Sequence, residues 1–151
     1  MSQDRIATMG VPFTNSNLMT ATSEAHRLTE LEKIRILIVD DDPVFRRSLF
    51  RVLSGAGYNV FTAANIPEAL EFLSQLDFSL VLMDMPKPYQ GGIDELRTLL
   101  ASIGNANIIV VSTFSERKLQ QKVLKMGAKG FLVKPVRKAA ILEAVSKALP
   151  K

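Results

Sequence analysis

No cysteine occurs anywhere in the 151 residues, which excludes disulfides, thiolate metal sites and a cysteine nucleophile and fits a reducing cytosol. Tryptophan is absent too, and a single histidine rules out a multi-histidine metal centre. No apolar run approaches the roughly 18 residues of a membrane span. No basic start followed by an apolar core marks a signal peptide. The apolar fraction of 47% and charged fraction of 23% are ordinary for a soluble globular protein. At 16.7 kDa the chain fits one domain plus a tail, with enough length to bury a core. Acid is scarce in one stretch. From Ser112 to Lys138, Glu116 alone opposes Arg117, Lys118, Lys122, Lys125, Lys129, Lys134, Arg137 and Lys138, so one end of the fold should carry a positive face although the net charge is only +4.

Two apolar runs end in acid. Leu80, Val81, Leu82 and Met83 stop at Asp84 and give way to Pro86, Pro88, Gly91 and Gly92. Ile34 to Val39, interrupted only by Arg35, ends on Asp40, Asp41 and Asp42. Both runs read as buried strands delivering carboxylates to loops. If they lie in one parallel sheet, their C-terminal ends share an edge and the aspartates meet in one crevice.

Residues 1–33 are rich in Ser, Thr, Asn and Met without sustained periodicity and are expected to form a mostly flexible tail. Ser23 to Lys33 could form a short helix through Leu28 and Leu31, and Met9 or Met19 is an alternative start. Ala25-His26-Arg27-Leu28 only faintly matches a phosphohistidine motif. A solvated tail histidine is the stronger reading there, because a phosphohistidine needs a helical bundle around it.

From Ile34 to Leu149 strand and helix patterns alternate five times, which argues for a parallel sheet covered on both faces; residues 150–151 form the end. Asp42 caps the first helix with Pro43 at its first position, and Val44, Phe45, Ser48, Leu49, Val52 and Leu53 form its apolar stripe, stopped by Gly55 or Gly57. Tyr58 to Ala63 is the second strand, and Asn65 caps a helix facing inward through Ile66, Ala69, Leu70 and Leu73. Phe78 to Met83 is the third strand. Ile93, Leu96, Leu99, Leu100 and Ile103 mark the next helix, and Asn107 to Val111 the fourth strand. Ser115 is expected to cap a helix that buries Leu119, Val123 and Met126, turns Lys118, Lys122 and Lys125 to another face, and stops at Gly127. Gly130 to Val133 leads to Lys134-Pro135, and a last helix uses Ile141, Leu142, Val145 and Leu149. No internal repeat or second domain is visible.

Crowding Asp40, Asp41 and Asp84 within about 4 Å costs roughly 4 kcal/mol per charged pair at an effective dielectric of about 20, so a cation must compensate. Oxygen ligands without histidine or sulfur favour Mg²⁺, which takes one or two carboxylates plus a phosphate oxygen. Lys134 ends the fifth strand on the same edge as a second cation. Ser112 ends the fourth and offers a hydroxyl. Each residue alone is more often a cap, a solvated lysine or a turn serine; four successive strand ends together make a site.

Ile36 to Asp42, Leu82-Met83-Asp84 followed by Pro88 and Gly92, Val111-Ser112, and Phe131 to Pro135 together resemble the receiver domain of two-component response regulators. The match runs from about Ile34 to Leu149 in order and spacing. It implies a flavodoxin-like (βα)5 doubly wound sheet of order 2-1-3-4-5, with the site beyond strands one and three. It implies that Asp84 is the phosphoacceptor, that Asp41, Asp84 and the Pro86 carbonyl bind Mg²⁺, and that Asp40 supports the metal through water. Lys134 and Ser112 would hold phosphoryl oxygens, and Ser112 would couple to Phe131 as the switch. The phenolic oxygen usual at that last position is missing here, as in many relatives.

Three positions depart from the family pattern. Pro86 supplies a carbonyl but no donor, Thr113 stands where a small residue is usual, and Arg137 replaces a helix cap. Pro86 and Phe114 fall where side chains govern the lifetime of the phosphoryl group; neither can hydrogen-bond the attacking water, and Thr113 crowds the entrance. The resemblance implies a cytoplasmic signalling switch, not an enzyme in its own right, that accepts a phosphoryl group from a histidine kinase or phosphotransfer protein. An output partner or domain would meet the face of helix 4, strand 5 and helix 5. The alternative is an unphosphorylated receiver-like scaffold. Nucleic-acid binding lacks a helix-turn-helix or aromatic platform to accompany the lysines, and aspartates in the first βα turn would repel a dinucleotide pyrophosphate.

Overall fold

The computed structural model describes residues 33–150 together with Glu30. The expected tail, His26 and nearly all of the expected helix at Ser23 to Lys33 lie outside the described residues. Five strands form a wholly parallel sheet in the order β2-β1-β3-β4-β5. They are β1 (Arg35–Val39), β2 (Asn59–Ala63), β3 (Leu80–Asp84), β4 (Asn107–Ser112) and β5 (Gly130–Val133), alternating with helices α1 (Pro43–Gly55), α2 (Ile66–Gln75), α3 (Ile93–Leu100), α4 (Arg117–Met126) and α5 (Lys138–Ala148). The fold is the expected flavodoxin-like one.

Alternate side chains of each strand point to opposite faces, and the core divides accordingly. Ile36, Ile38, Leu80, Leu82, Ile109 and Val111 face Leu49 and Leu53 of α1 and Ile141 and Val145 of α5. Leu37, Val39, Val81, Met83, Ile108 and Val110 face Ala69 of α2, Leu96 and Leu99 of α3, and Leu119 and Val123 of α4. The central strands β1, β3 and β4 are therefore apolar at nearly every position, as a sheet buried on both sides requires.

Local chemistry explains most boundaries. Asp42 is extended, and its Oδ1 accepts the Val44 N–H at 3.0 Å, with Pro43 opening α1. Asn65 accepts the Glu68 N–H at 2.9 Å while Glu68 returns a bond to the Ala64 N–H at 2.8 Å, a reciprocal cap on α2. Gly55 is the last residue of α1.

Some boundaries depart from the sequence reading. Glu116, not Ser115, stands at the N-cap of α4, and it makes no side-chain capping bond. Arg137 likewise opens α5 without one, as its side chain predicts. Val44 is 72% exposed and Ser48 is exposed too, so the buried stripe of α1 is narrower than expected; α1 crosses the sheet on its Leu49 and Leu53 side. Phe78 precedes β3 and instead joins Phe61 and Phe72 in an edge-to-face aromatic cluster.

The topology creates the site. β1 lies between β2 and β3, and the chain leaves β1 for α1 on one face and leaves β3 for α3 on the other, which opens a crevice where the connections diverge. Val39 pairs with Met83 in register, so Asp40 and Asp84 stand level one step beyond.

Candidate functional site

Asp40, Asp41 and Asp84 come together, with one carboxylate oxygen from each lying within 4.8 Å of the other two. The crevice they share has a volume of about 250 Å³, and Asn65, Pro86, Gln90 and Glu95 also line it. Burial differs sharply among the three acids: Asp40 is 3% exposed, Asp84 is intermediate and Asp41 is open to solvent.

Asp40 is held tightly. Its Oδ1 accepts the Asp42 N–H at 2.8 Å, and its backbone carbonyl accepts from Arg46 Nη1 at 2.6 Å. Its Oδ2 is buried without a hydrogen-bond partner. Loss of solvent pushes its pKa up to about 6 from 3.8, and the neighbouring Asp84 charge pushes the same way against the Asp42 amide and Lys134.

Lys134 emerges from β5 directly beside this cluster. Its backbone N–H donates to the Ser112 carbonyl at 2.8 Å, which extends the β4–β5 ladder by one bond and aims the side chain across the sheet edge. Its Nζ lies 2.8 Å from Asp84 Oδ1 and 3.8 Å from Asp40 Oδ2. The following Lys134–Pro135 bond is cis. Phe45 of α1 covers the ammonium, with its ring centroid 4.1 Å from Nζ.

Ser112 is fully buried. Its hydroxyl donates to the Met85 carbonyl at 2.7 Å and accepts the Phe114 N–H at 3.1 Å, so it touches the residue next to Asp84. Lys134, Ser112, Thr113 and Phe114 stand beside the crevice, on the β4 and β5 side of Asp84, and outside its lining. The Phe114 ring instead packs edge-on against Tyr89, 6.3 Å between centroids, and the Tyr89 hydroxyl donates to Glu116 Oε1 at 2.8 Å. That bond raises the Tyr89 pKa. Phe131 is half-buried on the α2, α3 and α4 side of the sheet.

The loop after β3 is shaped by glycine. Gly91 has φ of +107°, and a Cβ on Gly92 would lie 2.8 Å from both the Lys87 carbonyl and Met85 Cγ. Only residues without side chains let this turn close under Pro86 and Lys87.

Sequence reasoning named the acids, the lysine and the proline, and missed four other features. Arg46 follows Asp42 by one helical turn, a readable hint of its reach back toward the acids. Phe45 was assigned to the core stripe, with no sign of its contact with Lys134. Nothing in the sequence placed Glu95 on the crevice wall or paired Tyr89 with Glu116.

Residues 36–146 match the model of the response regulator receiver domain. The chain belongs to the response regulator receiver family. The chemotaxis protein CheY of Thermotoga maritima is 37% identical over 114 residues, covering 75% of this chain and 95% of that protein. The solved chemotaxis protein CheY4 of Vibrio cholerae superposes with a TM-score of 0.69 at 27% identity, covering 77% of this receiver and 98% of that chain. A response regulator of Burkholderia pseudomallei, solved with a phosphorylated aspartic acid and a calcium ion, gives 0.66 at 28% identity over 78% of this chain and 67% of its own. Family membership and the acidic pocket identify this receiver as a two-component signalling module.

Proposed function

We propose that this receiver is a switch phosphorylated on Asp84 by the phosphohistidine of a histidine kinase or phosphotransfer protein. The observation that carries the reading is the Lys134 ammonium 2.8 Å from Asp84 Oδ1, where Asp84 clusters with two further carboxylates. An Asp84 oxygen attacks phosphorus, the bond from phosphorus to the imidazole nitrogen breaks, and its electron pair stays on the ring, which takes up a proton. Lys134 stabilises the charge on the transferring oxygens, and Ser112 takes one of them after leaving the Met85 carbonyl. The chain is thus a phosphoacceptor that assists its own transfer and is not an enzyme toward other substrates. The phosphorylated aspartate of the Burkholderia relative supports the assignment.

The donor set fits Mg²⁺. Three hard carboxylates converge, and the buried Asp40 Oδ2 has no hydrogen-bond partner. Asp41, Asp84 and the Pro86 carbonyl would hold the ion directly and Asp40 through water. When bound, it neutralises phosphoryl oxygens alongside Lys134. Ser112 and Phe131 form the switch, and Pro86, Thr113 and Phe114 set how long the phosphoryl group stays.

The output partner docks on the face of α4, β5 and α5, and its surface is acidic. Arg117, Lys118, Lys122, Lys125, Lys129, Arg137 and Lys138 are all exposed there, and among the described residues none of them has an ion pair at 4.0 Å or less. Affinity for such a partner falls as salt is raised. Among the described residues no helix is long and apolar enough to cross a membrane, and we place the chain in the cytoplasm with its kinase.

Intact-mass analysis after incubation with acetyl phosphate, with and without Mg²⁺, tests the reading. One phosphoryl adduct that needs Mg²⁺ and disappears in Asp84→Asn is expected. An unlabelled parent chain would favour the scaffold alternative, and a fully labelled Asp84→Asn would move the acceptor elsewhere.

A further inference from the structure

Lys134 is held by two kinds of contact. Asp84 and Asp40 approach its ammonium at 2.8 and 3.8 Å, and the Phe45 ring centroid lies 4.1 Å from the same Nζ. A lysine has a flexible four-carbon stem, and this side chain keeps 18% of its surface exposed, so solvent is within its reach. Phe45 sits in the first turn of α1, which the Asp42 cap and Pro43 pin in place. Its neighbours Val44 and Ser48 are exposed, whereas Phe45 is half-buried and packs against the α1 and α5 side of the core.

We propose that Phe45 is a positioning residue for phosphoryl acceptance: its ring face holds the Lys134 ammonium beside the Asp84 carboxylate through a cation–π contact. This rests on the phosphoacceptor reading of Asp84. An aromatic face suits the task better than a third carboxylate would. The ring quadrupole attracts the cation without capturing a directed N–H bond, so the ammonium's donors stay available to carboxylate and phosphoryl oxygens. It also removes water from one side of the charge, which strengthens every remaining attraction. A cation already in place needs no reorganisation as charge builds on the transferring group.

The test compares Phe45→Leu, Phe45→Met and Phe45→Tyr in the full chain. The two aliphatic variants keep apolar bulk against the core but lose the ring; tyrosine keeps it. In the metal-free, unphosphorylated protein, the ε-methylene protons of Lys134, assigned by their loss in Lys134→Met, should show an upfield ring-current shift. That shift should vanish in Phe45→Leu and Phe45→Met and persist in Phe45→Tyr. With saturating Mg²⁺ and acetyl phosphate, labelling should slow about three- to tenfold in the aliphatic variants, and tyrosine should recover most of the loss; tenfold corresponds to about 1.4 kcal/mol in the barrier.

Parent-like labelling in a folded aliphatic variant would overturn the proposal. So would equal slowing in all three variants, or an unshifted Lys134 resonance in the parent. A parent that takes no label at all would instead overturn the phosphoacceptor reading, and the positioning role with it.

Discussion

Replacing Asp40 with asparagine should stabilise the metal-free protein at neutral pH, although it removes a charge from the middle of the site. Asp40 is 3% exposed, and its pKa rises from 3.8 to about 6 because burial strips the carboxylate of water and Asp84 repels it. The folded state therefore holds a proton that the unfolded chain has already released, so stability falls as pH climbs from about 4 to about 6. The gap corresponds to about 3 kcal/mol at pH 7, and to roughly 10 °C in melting temperature for a domain of this size. Asparagine keeps an oxygen for the Asp42 N–H at Oδ1 and carries no charge to desolvate. Melting curves in EDTA at pH 7.5 should place Asp40→Asn above the parent. The difference should shrink as pH falls from about 6 and close only below about 3.8, where Asp40 is protonated in both states, and saturating Mg²⁺ should narrow it at neutral pH by favouring the charged parent. A variant that melts at or below the parent in EDTA at pH 7.5 would refute the idea that desolvation governs this carboxylate.

Mg²⁺ at a hundredfold excess over its dissociation constant should raise stability by about 2.7 kcal/mol, and Asp41→Asn should remove most of that gain. A parent melting temperature indifferent to Mg²⁺ would count against the acidic pocket as a metal site. Gly92→Ala puts a Cβ 2.8 Å from the Lys87 carbonyl, so we expect a loss of about 1–3 kcal/mol together with weaker Mg²⁺ binding at the distorted Pro86 loop; urea denaturation and a Mg²⁺ titration check both, and parent-like values would show that the loop yields freely. For phosphoryl lifetime, Pro86→Asn with Phe114→Glu should accelerate decay several-fold by giving the attacking water polar partners, and about 1.4 kcal/mol off the barrier would make it tenfold. Equal decay rates under saturating Mg²⁺ would dismiss that role for the two side chains.

Strand and helix identities follow from local pattern. The apolar runs ending at Val39 and Met83 could only be satisfied by a sheet covered on both faces, and Asp42 and Asn65 mark helix starts through bonds their own side chains make. The acidic cluster is legible for the same reason, because residues at the ends of adjacent parallel strands share an edge whatever the helices do. At the start of α4 the sequence offers Ser115 and Glu116 side by side, and local pattern favours the serine although the chain turns at Glu116. Burial depth was also invisible: Asp40 and Asp41 are adjacent and chemically identical, yet one loses its water and the other keeps it. Only the tertiary structure set the contact between Lys134 and Phe45 and the pairing of Tyr89 with Glu116 across two loops. Sequence spacing constrains groups along one strand or helix, whereas those contacts depend on how separate elements cross, and that is decided by side-chain packing over the whole sheet.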